Sequence, residues 1–172
     1  QLRRTPDKID ADNIRFRHKQ EPSHQINPEI ALRQSEEKFR LAFHTSPDSI
    51  NFNRLSDGVY IDINEGFTKL TGYTREDAIG KSSIDLNIWY DPLDRQRLVK
   101  ALQNEGYVEN LEARFRRKNG QIGVGLMSAR VLRLNQEDVI LSITRDITER
   151  KKMEDALRES EDKYSQLIES LT

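Results

Sequence analysis

The stretch YVENLEARFRRKNGQIGVGLMSARVLRL, residues 107–134, decides the fold class. Its first part alternates, with Leu111, Ala113 and Phe115 on one side and Glu112, Arg114 and Arg116 on the other. Successive side chains of a strand point to opposite faces, so the pattern predicts a half-buried strand over 107–117. Lys118-Asn119-Gly120 is hairpin-turn chemistry, and residues 121–134 predict the returning strand. After the polar residues 135–138, residues 139–144 predict one more.

Working outward, residues 49–52 and 59–63 alternate around Ser56-Asp57-Gly58, which predicts a first hairpin. Phe67, Leu70 and Tyr73 fall at helical spacing, and residues 76–79 predict a second short turn closed by Gly80. Residues 91–105 read as a helix: Asp91 caps it, Pro92 suits the first turn, Leu98 and Leu102 are four apart, and Gly106 ends it. Pro28 opens an earlier helix, whereas residues 1–27, with Pro6 and Pro22, read as polar linker. Two strands, short helices, then three strands predict an α+β fold on an antiparallel sheet.

With 172 residues and 35% hydrophobic content, the chain has material for one modest core. A net charge of −1 gives no electrostatic reason to expect nucleic acid or an anionic membrane as partner. The absence of cysteine removes disulfides, a thiolate nucleophile and Cys-ligated metal, and fits a reducing cytoplasm. No apolar run approaches the roughly 18 residues of a membrane span. The expectation is a cytoplasmic module without direct membrane insertion, whose parent protein can still be membrane-anchored.

The chain also repeats itself. ALRQSEEKFRLAFHTS (31–46) returns as ALRESEDKYSQLIESL (156–171), with Ala, Leu, Arg, Ser, Glu and Lys identical in order. The organisation expected is therefore 1–29 linker, 30–46 N-terminal helix, 47–148 core, and 149–172 an output helix that begins a second unit.

Four segments in this order resemble the PAS domain family: SPDSI (46–50), DGVYIDINEGFTKLTGYTREDAIGK (57–81), RRKNGQIGVGLMSARV (116–131) and ILSITRDITERKKMEDALRESEDKY (140–164). The resemblance covers about residues 30–172. It implies a five-stranded antiparallel sheet with short helices over one face, flanked by signalling helices. It also implies a small internal cavity for a ligand or cofactor, dimerisation, and a signal passed through the terminal helix. The parent would be a multidomain signalling protein such as a sensor histidine kinase or a cyclic-dinucleotide enzyme, with adjacent PAS and output domains as partners. In the family, Asp146, Ile147 and Thr148 would be the joint between last strand and output helix. From the residues alone, Asp146 with Glu149 three positions on reads as a capping-box analogue.

The same resemblance limits the cofactor. Covalent flavin photochemistry needs a cysteine, and the chain has none. Haem-binding members use a histidine on or near the long helix, but the three here are His18, His24 and His44, which also fail as a zinc set. Non-covalent flavin or a small organic ligand stays open. Expected cavity positions are Ile50, Phe52, Leu86, Ile88, Trp89, Val124, Leu126, Ser128, Ser142 and Thr144. Nothing catalytic stands out: Gly123-Val124-Gly125 falls inside a strand and is no phosphate loop. Two alternatives to a ligand-binding sensor are a ligandless scaffold that relays dimer geometry and, outside these, a fragment of a catalytic domain.

The last expectation concerns assembly. Met153, Leu157, Ser160, Tyr164, Leu167 and Leu171 are spaced 4, 3, 4, 3 and 4, a heptad seam matched upstream by Leu32, Ser35, Phe39 and Ala42. Such a seam needs burial against the domain's own sheet or against the same helix of a second copy in a homodimer.

Overall fold

Each turn of the structure is set by local chemistry. The computed structural model describes residues 27–171, so Pro6, Pro22, His18, His24 and all but residues 27–29 of the linker expected at 1–29 lie outside the described residues, and the first helix already begins at Pro28. Helix α1 runs Pro28–Thr45, followed by strands β1 (Ser49–Arg54) and β2 (Tyr60–Ile63). Short helices α2 (Glu65–Thr71) and α3 (Arg75–Ala78) and the longer α4 (Pro92–Glu105) come next. Strands β3 (Tyr107–Arg116), β4 (Ile122–Leu134) and β5 (Glu137–Asp146) then lead to α5 (Thr148–Ser170). The chain divides into two units between Glu36 and Glu37. Of the first, the described part is the start of α1, where Ile30 and Leu32 are exposed.

The second unit carries one five-stranded antiparallel sheet in the order β2-β1-β5-β4-β3. The centre strand, β5, is paired along both sides and is also the strand that feeds the last helix. Its hairpin with β4 turns through Asn135 and Gln136, both in the left-handed region at φ 48° and 69°, as a two-residue turn of matching twist requires. Helix α4 begins at Asp91, whose side chain accepts the Leu93 N–H, and stops at Gly106, φ 77°. Asp94, buried in its first turn, pairs with Arg97 and accepts the Arg114 N–H at 3.0 Å, tying α4 to β3.

The core is asymmetric. Tyr60, Ile63, Phe67, Leu70, Ala78, Leu86, Ile88 and Phe115 form the apolar cluster between the short helices and the inner face of the sheet. The inner face of β1 and β5 is polar instead, with Ser49, Asn51, Asn53, Ser142 and Thr144 all buried. On β4 that face is bare at Gly123 and Gly125. A Cβ on Gly123 would stand 2.6 Å from the Phe115 ring, and one on Gly125 2.7 Å from Thr144 Cγ2. The outer face takes apolar side chains, and the end of α1 covers part of it, with Phe43 6.0 Å from Phe52 between ring centroids.

One side chain organises these parts. Asn64, 2% exposed, accepts the N–H groups of Ile50 (2.8 Å) and Phe67 (2.9 Å). Its amide donates to the carbonyls of Phe43 and Asp48, each at 2.9 Å. It thus joins the end of α1, the α1–β1 connection, β1 and the N-terminus of α2. Packing leaves no slack around it: a Cβ on neighbouring Gly66 would lie 2.2 Å from the Asp48 carbonyl oxygen. Asn64→Ala leaves several buried backbone groups without partners, at about 1–3 kcal/mol each. A loss of roughly 3–5 kcal/mol is expected in denaturant unfolding, as a lower midpoint at unchanged slope. A loss below about 1 kcal/mol would show that water replaces the side chain.

Candidate ligand cavity and helix joint

An internal cavity of about 50 Å³ lies between the inner face of the sheet, α2 and the segment joining α3 to α4. One wall is polar, made by Ser49, Asn51 and Thr144 from the paired strands β1 and β5. The rest is mostly apolar or aromatic, including Phe67, Leu70, Ile88, Trp89, Phe115 and Met127, with Thr71 and Ser83 among them. Burial pushes the Tyr60 phenol at its edge well above its ordinary pKa, so it stays neutral. No charged side chain lines the space.

Polar bonding inside this wall is incomplete in a specific way. Among the described residues no sealed side-chain nitrogen or oxygen lacks a partner. Asn51 donates to Asn53, which donates to the Gly58 carbonyl, and Thr71 donates to the Phe67 carbonyl. The Ser49 and Thr144 hydroxyls make no hydrogen bond with any of the described residues, although these residues are only 2% and 6% exposed. They open onto the cavity instead. A buried hydroxyl without a partner is costly, so the site calls for a guest that hydrogen-bonds.

Of the expected cavity residues, Ile88, Trp89 and Thr144 line it. Ser142 is on the inner face beside Asn51 and Ala129 but does not reach the space, and Leu86 belongs to the neighbouring apolar cluster. The other five positions need correction. Ile50 and Phe52 on β1, and Val124, Leu126 and Ser128 on β4, are one residue out of phase and belong to the outer face. Their places are taken by Ser49, Asn51, Gly125 and Met127. The usual rule that apolar residues point inward gave the wrong phase because here the inward set is small and polar. A signal for the right one was present: Ser49/Asn51, Gly123/Gly125 and Ser142/Thr144 are small residues at period two on three neighbouring strands.

The residues do not fit a flavin or a haem in this cavity. A cavity of about 150 Å³ holds a single benzene, three times the space here and far less than either cofactor occupies. His44 is exposed on α1, edge-on to Phe43, away from the lining. No group of His, Cys, Asp or Glu among the described residues could hold a metal ion.

A second feature is the joint from β5 to α5. Ile147 alone separates them; its side chain is 3% exposed, and its N–H donates to the Val124 carbonyl at 2.9 Å. Asp146 Oδ1 accepts the Thr148 N–H at 3.0 Å and its hydroxyl, while Thr148 Oγ1 accepts the Val124 N–H at 3.0 Å. The capping box expected with Glu149 is not formed: Ile147 holds the cap position, and Glu149 pairs with Lys152. Asp146 serves the first helical N–H from one residue further out. Its second oxygen takes Arg117 Nη2 at 2.7 Å, and Arg117 Nη1 donates to the Leu70 carbonyl at 2.9 Å. The guanidinium also lies 5.4 Å over the Phe115 ring. Leu70 and Phe115 line the cavity, so Arg117 touches both the cavity wall and the joint. Lys151 adds an ion pair to Glu112 on β3 at 2.9 Å.

Partial burial pushes the Asp146 carboxyl up, but the Thr148 hydroxyl and amide and then Arg117 outweigh it and hold the pKa below its ordinary 3.8. A depressed carboxylate stabilises the fold above the unfolded pKa, and that contribution is lost as pH falls through the folded one. The melting-temperature gap between wild type and Asp146→Asn should therefore stay constant near neutrality and close below about pH 4. A gap that persists at pH 2 would assign the effect to shape rather than charge.

Comparison with known proteins agrees with this geometry. The family model described as PAS domain matches residues 47–149. A sensor histidine kinase, TmoS, of Ectopseudomonas mendocina is 30% identical over 168 residues, covering 92% of this chain and 16% of that protein. The methyl sulfide methyltransferase-associated sensor of Methanosarcina acetivorans is 30% identical over 132 residues, 74% of this chain and 13% of that protein. The chain thus spans less than a fifth of either relative. Among solved structures, a PAS domain from Colwellia psychrerythraea aligns with TM-score 0.57 at 30% identity, covering 69% of this chain and 98% of that one. The PAS domain of an HTR-like protein from Haloarcula marismortui aligns with TM-score 0.58 at 24% identity, covering 69% and 97%. With the matched family model spanning all five strands and helices α2 to α4, more than half of the chain, the chain belongs to the PAS domain family.

Proposed function

We propose that this PAS domain is a sensory and dimerisation module, which binds a small uncharged organic molecule in its cavity and relays occupancy through α5. The carrying observation is the pair of inward hydroxyls, Ser49 and Thr144, that have no hydrogen-bond partner among the described residues. Thr144 stands two residues before Asp146 on the centre strand, so a guest that draws on it pulls on the strand that starts the output helix. Arg117 gives a parallel route from Leu70 and Phe115 to the same carboxylate. The downstream partner is an output domain of the same polypeptide, consistent with relatives named as sensors and a sensor histidine kinase. In this reading the chain itself is non-catalytic and works in the cytoplasm, contacting neither nucleic acid nor the membrane interior. No helix among the described residues is long and apolar enough to cross a membrane.

The small size of the cavity, about 50 Å³, favours a second reading, a ligandless scaffold that relays geometry alone. The two differ in one measurement. Native mass spectrometry of the purified chain should reveal a bound small molecule lost in Ser49→Ala/Thr144→Val, whose fold is kept. An identical mass in both proteins, equal to that of the bare chain, would select the scaffold.

Dimerisation rests on the seams. Met153, Leu157, Tyr164, Leu167 and Leu171 on α5 are 59–86% exposed, and no residue of α5 is buried. Leu32 and Phe39 on α1 are likewise exposed. The domain's own sheet therefore does not cover the α5 seam, which leaves a parallel pairing with a second copy. Light scattering at tens of micromolar should give a dimer for wild type and a monomer for Leu157→Glu/Leu167→Glu. A monomeric wild type, or an equally dimeric variant, would reject the paired-helix relay.

A further inference from the structure

Trp89 and Ser83 each belong to two spaces. They line the internal cavity, and they also line an open groove of about 270 Å³ on the outside, together with Ile84, Pro92, Arg95 and Gln96. The partition between the two is the Trp89 indole, held by one side-chain hydrogen bond, Nε1 to Ser83 Oγ at 2.9 Å. The backbone behind it is fixed. Arg116 donates to the Ile88 carbonyl, Tyr90 donates to the Arg114 carbonyl at 3.1 Å, and Trp89 itself bridges to Phe115. Any opening is then a rotation of the indole with the chain in place.

We propose that Trp89, latched by Ser83, is the gate of the ligand cavity, and that the ligand occupies cavity and groove together. This rests on the sensory reading given above. With the indole in place the inner space is only about a third of a cavity known to hold one benzene, about 150 Å³. Swinging the indole aside joins about 50 Å³ to about 270 Å³, which reaches the lower end of pockets that hold drug-sized ligands, about 300 Å³. The walls then state the ligand class. Its buried end carries a hydroxyl, carbonyl or amide for Ser49 and Thr144. That end is uncharged, because no charged side chain lines the cavity and an unpaired buried charge is prohibitive. Its body is apolar, passes the Phe67 and Phe115 rings, and ends in the groove near Ile84 and Pro92.

The latch is a single neutral hydrogen bond, so the closed state dominates without being locked. A ligand that binds only the open state gives up affinity in proportion to how rarely that state is populated. Removing the latch should raise affinity.

Trp89 is the only tryptophan of the chain, so its emission reports the gate directly. The purified 172-residue chain is titrated with 1-hexanol, an uncharged alcohol with one hydroxyl, and separately quenched with acrylamide. Wild type should give a saturable change in emission. Ser83→Ala should bind about threefold more tightly and quench more readily. Thr144→Val should bind about three- to tenfold more weakly at an unchanged melting temperature, with Ser49→Ala as the substitute if that variant does not fold. Equal affinity and equal quenching in wild type and Ser83→Ala would overturn the gate and leave the cavity reading standing. Easier quenching in Ser83→Ala with no hexanol response in any variant would overturn the ligand class and the sensory reading together.

Discussion

The structure depends on Asn64. Two backbone donors and two backbone acceptors from four segments converge on one buried amide, which offers an acceptor and two donors from a single-methylene stem. Its effect is geometric as well as energetic. By holding β1 to the start of α2 it fixes how far the short helices stand from the sheet, and this spacing decides whether a cavity exists beneath them. The close approach at Gly66 is set by the same attachment.

Above that attachment, the sheet inverts the usual division of polarity. Its inner face carries hydroxyls, amides and bare glycines at the centre, and its outer face carries Ile50, Phe52, Leu141 and Ile143. Hydroxyls turned into a cavity in place of apolar side chains forgo core packing and contribute little to folding alone. The apolar cluster displaced toward α2, α3 and Phe115 offsets this cost. The cavity is therefore a local departure from good packing, maintained by good packing beside it.

This inversion also explains what could be read from the sequence. Element types and the order of strands and helices followed from turns and caps that act locally, such as Asp91, Gly106 and Asn119-Gly120, and these kept their expected roles. The phase of β1 and β4 was not legible, because period-two alternation says that two faces differ but not which one is inward. Ile50 and Val124 were the natural guess; Ser49 and Gly125 were the answer. Asn64 was hidden for another reason. Its partners lie at separations of 3, 14, 16 and 21 residues, and only the nearest, the Phe67 cap, has a local signature. Arg117 is one of four arginines in 114–117 and 130 that alternation and turn chemistry leave undistinguished, and its reach to Leu70 and Asp146 is a tertiary contact with no local signature.

The free-standing α5 has a mechanical consequence. Its 23 residues make a rod of about 34 Å at 1.5 Å per residue. Ion pairs such as Arg150 with Glu154 and Asp155 with Arg158 stiffen it from within. Its first turn is clamped to the sheet by Thr148, Ile147 and Lys151. That makes it a lever with its fulcrum at the sheet. A tilt of about 10° at the joint carries the far end about 6 Å, close to one helical pitch. Sub-ångström adjustments at Thr144 would be magnified before reaching whatever α5 leads into, and the magnification would scale with the length of rigid helix rather than with the strength of any contact in the cavity.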